Sequence, residues 1–313
     1  MNLATIDIGT NTTLLLVARL SAGGSLELVA ERAEITRLGR GIGVGGVLGA
    51  EGIARTLAAL REFVSVARRH QAKIAAIGTE ALRRAPNRAA FLDPAAEILG
   101  SPIEVIDGAR EAALTFQAVS DAFPAALAGA LTVVDIGGGS TEIVIAVGGE
   151  VRFNVSLPLG SVRLTERYVR HDPPRLDEIA AITAAVDAAL AGVPFPAPGT
   201  TPVTLVGVAG TVTSLAAMAE ALVSYDPARV HGYRLSQEAL AEQIARLRVG
   251  TQAARERIIG LDPRRADVIL AGALILQRIV AAARVGELQV SDRGIRWGLM
   301  HELARKVSVQ GVA

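Results

Sequence analysis

The sequence predicts an α/β protein of two similar lobes, each a β-β-β-α-β-α-β-α unit. Three observations lead there. The segment Thr5-Ile6-Asp7-Ile8-Gly9-Thr10-Asn11-Thr12 returns as Val133-Val134-Asp135-Ile136-Gly137-Gly138-Gly139-Ser140-Thr141. Each copy is an apolar strand ending in aspartate, then a glycine-rich turn carrying hydroxyls, then another strand. After both copies, strand-like and helix-like patterns alternate, which is the signature of a helix-covered sheet. The 313 residues suffice for two domains, and with half of them hydrophobic but only 3% aromatic the cores must be aliphatic.

The elements follow in order. Leu3–Asp7, Thr13–Arg19 and Leu26–Ala33 read as strands, with a turn at Ala22-Gly23-Gly24. A helix spans Glu51–Arg69, with Ile53, Leu57, Leu60 and Val64 on one face. Lys73–Ile77 is a strand, Phe91–Leu99 a helix, Ile103–Ile106 a strand and Glu111–Ala122 a helix. After Phe123-Pro124 the order restarts with strands Leu131–Asp135 and Glu142–Val147, a Gly148-Gly149 hairpin turn, and Val151–Leu157. Helices at Ser161–Val169 and Leu176–Ala191 precede a Pro/Gly-rich loop, 192–202. Thr204–Val208 is a strand, helices cover Thr211–Ala221, Gln237–Leu247 and Arg265–Ala283, Glu287–Ser291 is a strand, and Ile295–Lys306 closes the chain. The expected domains are 1–124 and 125–313, with the last helix (about 295–306) able to pack back on the first lobe.

Bulk properties exclude several classes. A net charge of +1 argues against a globally basic nucleic-acid binder, so any anion site is local. Absence of cysteine removes disulfides, thiolate nucleophiles and Cys-ligated metals. The two lysines, Lys73 and Lys306, do not follow a Gly-x-x-x-x-Gly run, which excludes a Walker-type loop. The N-terminus lacks a basic and apolar leader pattern, and no uncharged apolar run nears the ~18 residues that cross a bilayer. A cytoplasmic location, with no membrane or nucleic-acid partner, is the expectation.

The repeated turn suits phosphate. Glycines allow close backbone approach and let successive N–H groups line one concavity. Thr10, Asn11, Thr12, Ser140 and Thr141 add neutral donors. An aspartate has the wrong sign for phosphate, and a divalent cation such as Mg²⁺ supplies its reason, since it binds carboxylate, water and phosphate oxygens together.

Taken with further motifs, the chain resembles the exopolyphosphatase / guanosine pentaphosphate phosphatase (Ppx/GppA) family of the sugar kinase–Hsp70–actin superfamily. The resemblance rests on Asp7-Ile8-Gly9-Thr10-Asn11-Thr12, on Thr79-Glu80-Ala81-Leu82-Arg83-Arg84-Ala85-Pro86-Asn87, on Gly108-Ala109-Arg110-Glu111-Ala112, and on Asp135-Ile136-Gly137-Gly138-Gly139-Ser140-Thr141-Glu142. It continues through Leu159-Gly160-Ser161-Val162-Arg163-Leu164, Gly207-Val208-Ala209-Gly210-Thr211, His231-Gly232 and Arg265-Ala266-Asp267. It implies two actin-like (ribonuclease H-like) lobes around an interlobe cleft, and release of terminal orthophosphate from inorganic polyphosphate by metal-assisted attack of water. By resemblance Glu111 is the general base, Asp135 and Glu142 flank the metal, and Arg83 contacts phosphate. Asp7, Gly9, Thr10, Asn11, Thr12, Gly137, Gly138, Gly139, Ser140, Thr141, Gly210 and Thr211 are the other phosphate-binding candidates. Two departures stand out: Arg110 replaces the first of the family's paired glutamates, and Ala209 replaces a glycine of Gly-x-Gly-Gly-Thr. Some relatives carry a C-terminal HD domain, for which this chain is too short.

The alternative substrate is guanosine pentaphosphate. Rivals from other classes are a sugar-type kinase and an actin-like ATP-binding or filament module, and a homodimer is left open. Gly41-Ile42-Gly43-Val44-Gly45-Gly46 fits a dinucleotide pattern without its strand–helix context, and reads as a loop. His171-Asp172 is followed by two prolines and also reads as a loop. His70, His231 and His301 lack metal-ligand spacing. Arg88, Arg265, Arg293 and Arg296 are candidates for lining a phosphate channel. Glu111 also reads as an acidic first-turn residue complementing its helix.

Overall fold

The computed structural model describes residues 1–42, 46–197, 199 and 202–310, excluding the side chains of 309 and 310. Gly43, Val44 and Gly45 of the dinucleotide-like loop, and Pro198, Thr200 and Thr201 of the Pro/Gly-rich loop, lie outside the described residues. The chain divides into two compact units, Met1–Ala118 with Ile295–Ala313, and Val119–Gly294. The expected boundary at 124/125 thus moves to 118/119, and the closing helix groups with the first unit.

In the first unit, β1 (Asn2–Ile8), β2 (Thr13–Leu20), β3 (Leu26–Glu34), β4 (Lys73–Gly78) and β5 (Glu104–Val105) form a sheet of order β3-β2-β1-β4-β5. β1 pairs antiparallel with β2 and parallel with β4. Helices α1 (Ala50–Arg69), α2 (Glu80–Arg84), α3 (Ala89–Leu99) and α4 (Gly108–Ala122) follow in order, the unit division falling within α4. β1 is buried from Leu3 to Ile8 because both of its faces are covered. Ala4, Ile6 and Ile8 pack with Leu60, Phe63 and Val64 of α1, and Phe91, Ala95 and Leu99 of α3 join the same cluster. On the other face Leu3, with Leu16 and Ala18 of β2, packs against Trp297, Met300 and Leu303 of the closing helix.

The second unit repeats the plan. β6 (Ala130–Ile136), β7 (Thr141–Val147) and β8 (Glu150–Leu157) lead into α5 (Ser161–Tyr168) and α6 (Leu176–Leu190). Next come β9 (Val203–Val208), α7 (Ala209–Ala219), α8 (Pro227–Val230), β10 (Arg234–Ser236), α9 (Gln237–Val249), α10 (Gln252–Arg255), α11 (Ile269–Ala283) and β11 (Glu287–Val290). The closing helix of the first unit is α12 (Ile295–Gln310). Sheet order is β10-β11-β9-β6-β7-β8, the first sheet's order read backwards with one added edge strand. β6 pairs antiparallel with β7 and parallel with β9, as β1 does with β2 and β4. Even the register irregularity recurs, between Val17 and Ala18 in β2 and between Ile145 and Ala146 at the corresponding place in β7.

The structure adds α2, α8, α10 and β10, which are too short to show periodicity in sequence. It also shortens the helix expected over Arg265–Ala283. Pro263–Arg265 is a 3₁₀ turn capped by the Asp262 side chain on the Arg264 amide, and α11 begins only at Ile269. No helix among the described residues is long and apolar enough to cross a membrane.

Two backbone features make the packing testable. A Cβ at Gly298 of α12 would stand 2.0 Å from the Leu114 carbonyl oxygen of α4, inside the first unit. Gly298→Ala should therefore cost about 1–3 kcal/mol as overpacking, read as a lower urea midpoint; an unmoved midpoint would show the two helices separate freely. Ala209, at the start of α7, has φ +68°, the left-handed region that penalises a Cβ. Ala209→Gly should stabilise the fold by up to about 1 kcal/mol, the left-handed penalty relieved less the entropy glycine adds to the unfolded chain. A fall in melting temperature would mean that the Cβ contacts outweigh the strain.

Candidate active site

The first unit places Asp7, buried, as the penultimate residue of central strand β1, with Ile8 between it and the Gly9–Thr12 turn. The turn closes on itself through the Gly9 amide and the Thr12 carbonyl at 3.1 Å. It is held from outside by the amides of Gly39 and Arg37, which donate to Thr10 O and Asn11 O at 2.9 Å each. The Thr10 and Asn11 amides themselves donate to no acceptor among the described residues. Because both residues are buried, these are donors kept for something other than the protein.

Parallel pairing of β1 with β4 carries the chain on from Gly78 into α2, where the Thr79 amide donates to Ile8 O at 3.2 Å. That short helix delivers Arg83. Its Nη1 donates to the Ile106 carbonyl at 2.8 Å and to Glu111 Oε2 at 3.3 Å. Glu111 sits in the first turn of α4 with its amide on Asp107 O at 3.0 Å, and is only 8% exposed. Two site candidates far apart in sequence are thereby brought into one ion pair. Arg110, the departure from the family pattern, points its charge elsewhere, to Glu302 at 2.6 Å and Glu104 at 3.5 Å.

The second unit builds the same turn. Asp135 is buried at the end of β6, and the Gly137 amide donates to Ser140 O at 3.0 Å. Here the start of α5 holds the turn. Ser161 N donates to Gly137 O and Val162 N to Gly138 O, both at 3.0 Å, and Arg163 Nε reaches Gly139 O at 2.6 Å. Gly160 makes this approach possible, since a Cβ there would meet Gly138 O at 2.3 Å. With these carbonyls engaged, the amides of Gly138, Gly139 and Ser140 donate to no acceptor among the described residues. Three successive free amides on a glycine turn form the kind of concavity that holds an anion.

Asp135 and Glu142 stand directly opposite each other on β6 and β7, both buried. Ser156, opposite Glu142 on β8, donates from Oγ to Glu142 Oε1 at 2.6 Å. Like charges in a cross-strand pair repel, so this arrangement favours a cation beside it. The Thr141 hydroxyl is committed to Leu159 O at 2.7 Å, which fixes strand β7 rather than offering a donor to solvent.

Gly210 and Thr211 lie in the first turn of α7, which follows β9 directly. A Cβ on Gly210 would lie 2.2 Å from Nη1 of Arg265, so the guanidinium rests directly on this backbone. Thr211 packs against Gly272 of α11. Burial lowers the Arg265 pKa from its usual value, opposed by the charge of Asp262. His231 stacks on Phe123 at 5.0 Å, and its Nδ1 accepts from the Asp292 amide at 3.3 Å. Burial, then the charge of Arg293, lowers its pKa, which suits the neutral ring that this hydrogen bond needs. Arg296 pairs with Glu31 at 3.3 Å. His171 Nδ1 lies 3.0 Å from Glu178, whose carboxyl sits at about 2 through the Arg175 and Arg170 amides and His171, outweighing its desolvation.

Ser156 and Arg163 are the site-building residues that sequence reasoning missed. Arg163 lay inside a quoted motif, but its action on the Gly139 carbonyl has no local signal.

Comparison with known proteins places this geometry in context. The family pattern of the Ppx/GppA phosphatase family matches residues 16–307. Exopolyphosphatase 2 of Mycobacterium tuberculosis is 37% identical, over 96% of this chain and 98% of that protein. The crystal structure of the Aquifex aeolicus Ppx/GppA family member superposes with a TM-score of 0.81 at 33% identity, covering 98% of each chain. That of an exopolyphosphatase from Cytophaga hutchinsonii gives 0.88 at 26% identity, again over 98% of each. With its two actin-like lobes and duplicated phosphate-type turns, the chain belongs to the Ppx/GppA phosphatase family.

Proposed function

We propose that the protein is an exopolyphosphatase, releasing terminal orthophosphate from inorganic polyphosphate with water as the acceptor. The observation that carries this is the set of turn amides, Thr10 and Asn11 in one unit and Gly138 to Ser140 in the other, with no acceptor among the described residues. Donors fixed by a rigid scaffold stabilise charge on the equatorial oxygens of the transferring phosphoryl group at no reorganisation cost. Glu111 takes a proton from the attacking water as its oxygen bonds to the terminal phosphorus. The bridging P–O bond breaks and the shortened chain leaves. Arg83 holds the Glu111 carboxylate in place for that transfer.

The facing carboxylates of Asp135 and Glu142 fit a divalent cation such as Mg²⁺. Among the described residues no cluster of three or more potential ligands exists. A pair suits a hard ion that takes one or two carboxylates and fills its shell with water and phosphate oxygens. When bound, such an ion would neutralise charge on those oxygens. Ser156 would keep Glu142 oriented toward it.

The substrate is tested by phosphate release from long-chain polyphosphate beside guanosine pentaphosphate and ATP. Polyphosphate should give the highest kcat/KM; preference for guanosine pentaphosphate would move the activity to the nucleotide, and ATP consumption without phosphate release would indicate a kinase.

Glu111→Gln should lower kcat by roughly 10²–10⁴ and leave substrate affinity nearly intact, since glutamine keeps the shape but cannot take the proton. If Glu111 only complements its helix, the change costs ~0.3–1 kcal/mol of stability and turnover stays normal. Retention of more than about a tenth of wild-type kcat would falsify the assignment.

A further inference from the structure

Helices α1 and α3 share a core on one face of the first sheet and leave a groove of about 630 Å³ between their outer surfaces. From α1 it is lined by Arg61, Ser65, Arg68 and Arg69, and from α3 by Glu97, over a floor that includes Val64. Positions 61, 65, 68 and 69 fall on one helical stripe, so three guanidinium groups stand along a single wall. Arg61 and Arg68 make no hydrogen bond or ion pair among the described residues, and Arg69 donates only to Ser65 Oγ, at 3.1 Å. Arg55, earlier on the same helix, behaves differently: it pairs with Glu51 at 2.7 Å and donates to Thr36 O at 3.0 Å. Arg68 and Arg69 complement the C-terminal end of the helix dipole. Arg61 lies about two turns too early for that, so helix-end stabilisation does not account for the stripe.

Three cations against one carboxylate make this a groove for a polyanion, and guanidinium forks match phosphate oxygens in pairs. No aromatic ring is among the lining residues, so bases would find no stacking platform there. That favours a bare phosphate chain over a nucleic acid. The position adds a length requirement. α1 ends just before β4, and Lys73 at the start of β4 pairs with Leu3 at the start of β1, whereas the Asp7 turn lies at the other end of that strand. Strand rise alone separates the Arg68–Arg69 end of the groove from the turn by roughly 20 Å, with Arg61 about two helical turns nearer. A short phosphate held at the turn cannot span to that far end.

We propose that the α1–α3 groove is a second, non-catalytic site that binds the distal stretch of a long inorganic polyphosphate chain. It rests on the exopolyphosphatase reading, and raises the affinity of long chains by making a second contact intramolecular.

The test is Arg61→Ala/Arg68→Ala/Arg69→Ala, assayed on tripolyphosphate and on long-chain polyphosphate over a range of salt. The variant should keep wild-type kcat on both substrates and wild-type KM on tripolyphosphate. Its KM on long chains should rise roughly tenfold to a hundredfold, within what avidity supplies. Its affinity for long chains should also fall less steeply with salt, by the logic of counterion release. An unchanged KM on long chains would overturn the proposal. Should the triple variant fold poorly, seen as lost tripolyphosphate turnover, the single reversal Arg61→Glu decides by the same KM comparison. Binding of fluorescently labelled long-chain polyphosphate to Glu111→Gln, with and without the three alanines, reads the groove independently of turnover. A wild type that does not hydrolyse polyphosphate would sink the activity, while equal binding by those two proteins would sink the groove. Loss of binding of a single-stranded oligonucleotide in the triple variant, with polyphosphate binding unchanged, would also overturn it.

Discussion

Everything at the candidate site depends on a hydrogen bond that closes a tight turn after a buried strand, from Gly9 N to Thr12 O and again from Gly137 N to Ser140 O. It fixes the register of the following antiparallel strand, Ile8 opposite Thr13 and Ile136 opposite Thr141. It also spends the amide of the first turn residue while leaving the next ones unspent. β1 and β6 are the strands that can carry such a turn, because each lies between an antiparallel and a parallel neighbour and is buried along its length. The donors are therefore mounted on the stiffest part of each unit. In the second unit α5 adds a further restraint by taking the turn carbonyls, so rotating those peptides would break hydrogen bonds to Ser161, Val162 and Arg163 at once.

Carboxylates at the same strand ends set the electrostatic terms. Amide donors attract anions, whereas Asp7, Asp135 and Glu142 repel them, and all three are buried. Burying charge is costly unless it is paired and hydrogen-bonded. Orientation is supplied to the carboxylates individually, Glu142 by the Ser156 hydroxyl and Glu111 by Arg83. The Arg83–Glu111 pair is mostly shielded from solvent, with side-chain exposures of 25% and 11%. Removing Arg83 would thus cost more than a surface ion pair, because it would take a charged partner away from a buried carboxylate. Arg83 also gives up its carbonyl contact to Ile106 only if β5 and the start of α4 shift, which ties the position of Glu111 to the sheet.

What was legible in the sequence is what local chemistry dictates. The repeated Asp–Gly turns, the succession of strands along the chain and most helices follow from period and turn residues, and the matching sheet orders agree with the duplication. What was not legible depends on distant packing. α2 is too short for any period, so nothing announced that Arg83 would be aimed at Glu111, 28 positions on. β10 is three residues long and exists only because β11 offers it an edge. Thr141 looked like a ligand donor, and its commitment to Leu159 required knowing where the loop before α5 would run. The placement of α12 with the first unit, which the sequence reading allowed for, is fixed by packing, as Trp297 and Met300 meet Leu3 and Leu16.

The third glycine turn separates binding from support. Ala209 keeps a left-handed backbone that costs an L-residue of order 1–2 kcal/mol. The strain persists because its neighbours are fixed: Gly207 is hemmed in by Leu288 and Val212, and the Thr213 hydroxyl donates to Ala209 O at 3.1 Å. Unlike the first two turns, this one has the protein's own cation seated on it, the Arg265 guanidinium against Gly210. A side chain at 210 would expel that arginine, so the glycine is needed to admit a residue of the chain as well as any ligand. The resemblance between the three turns is then one of backbone chemistry rather than of role. Two are strand-to-strand turns that hold amides in reserve, and the third, the first turn of α7, uses its bare backbone to position a half-buried positive charge.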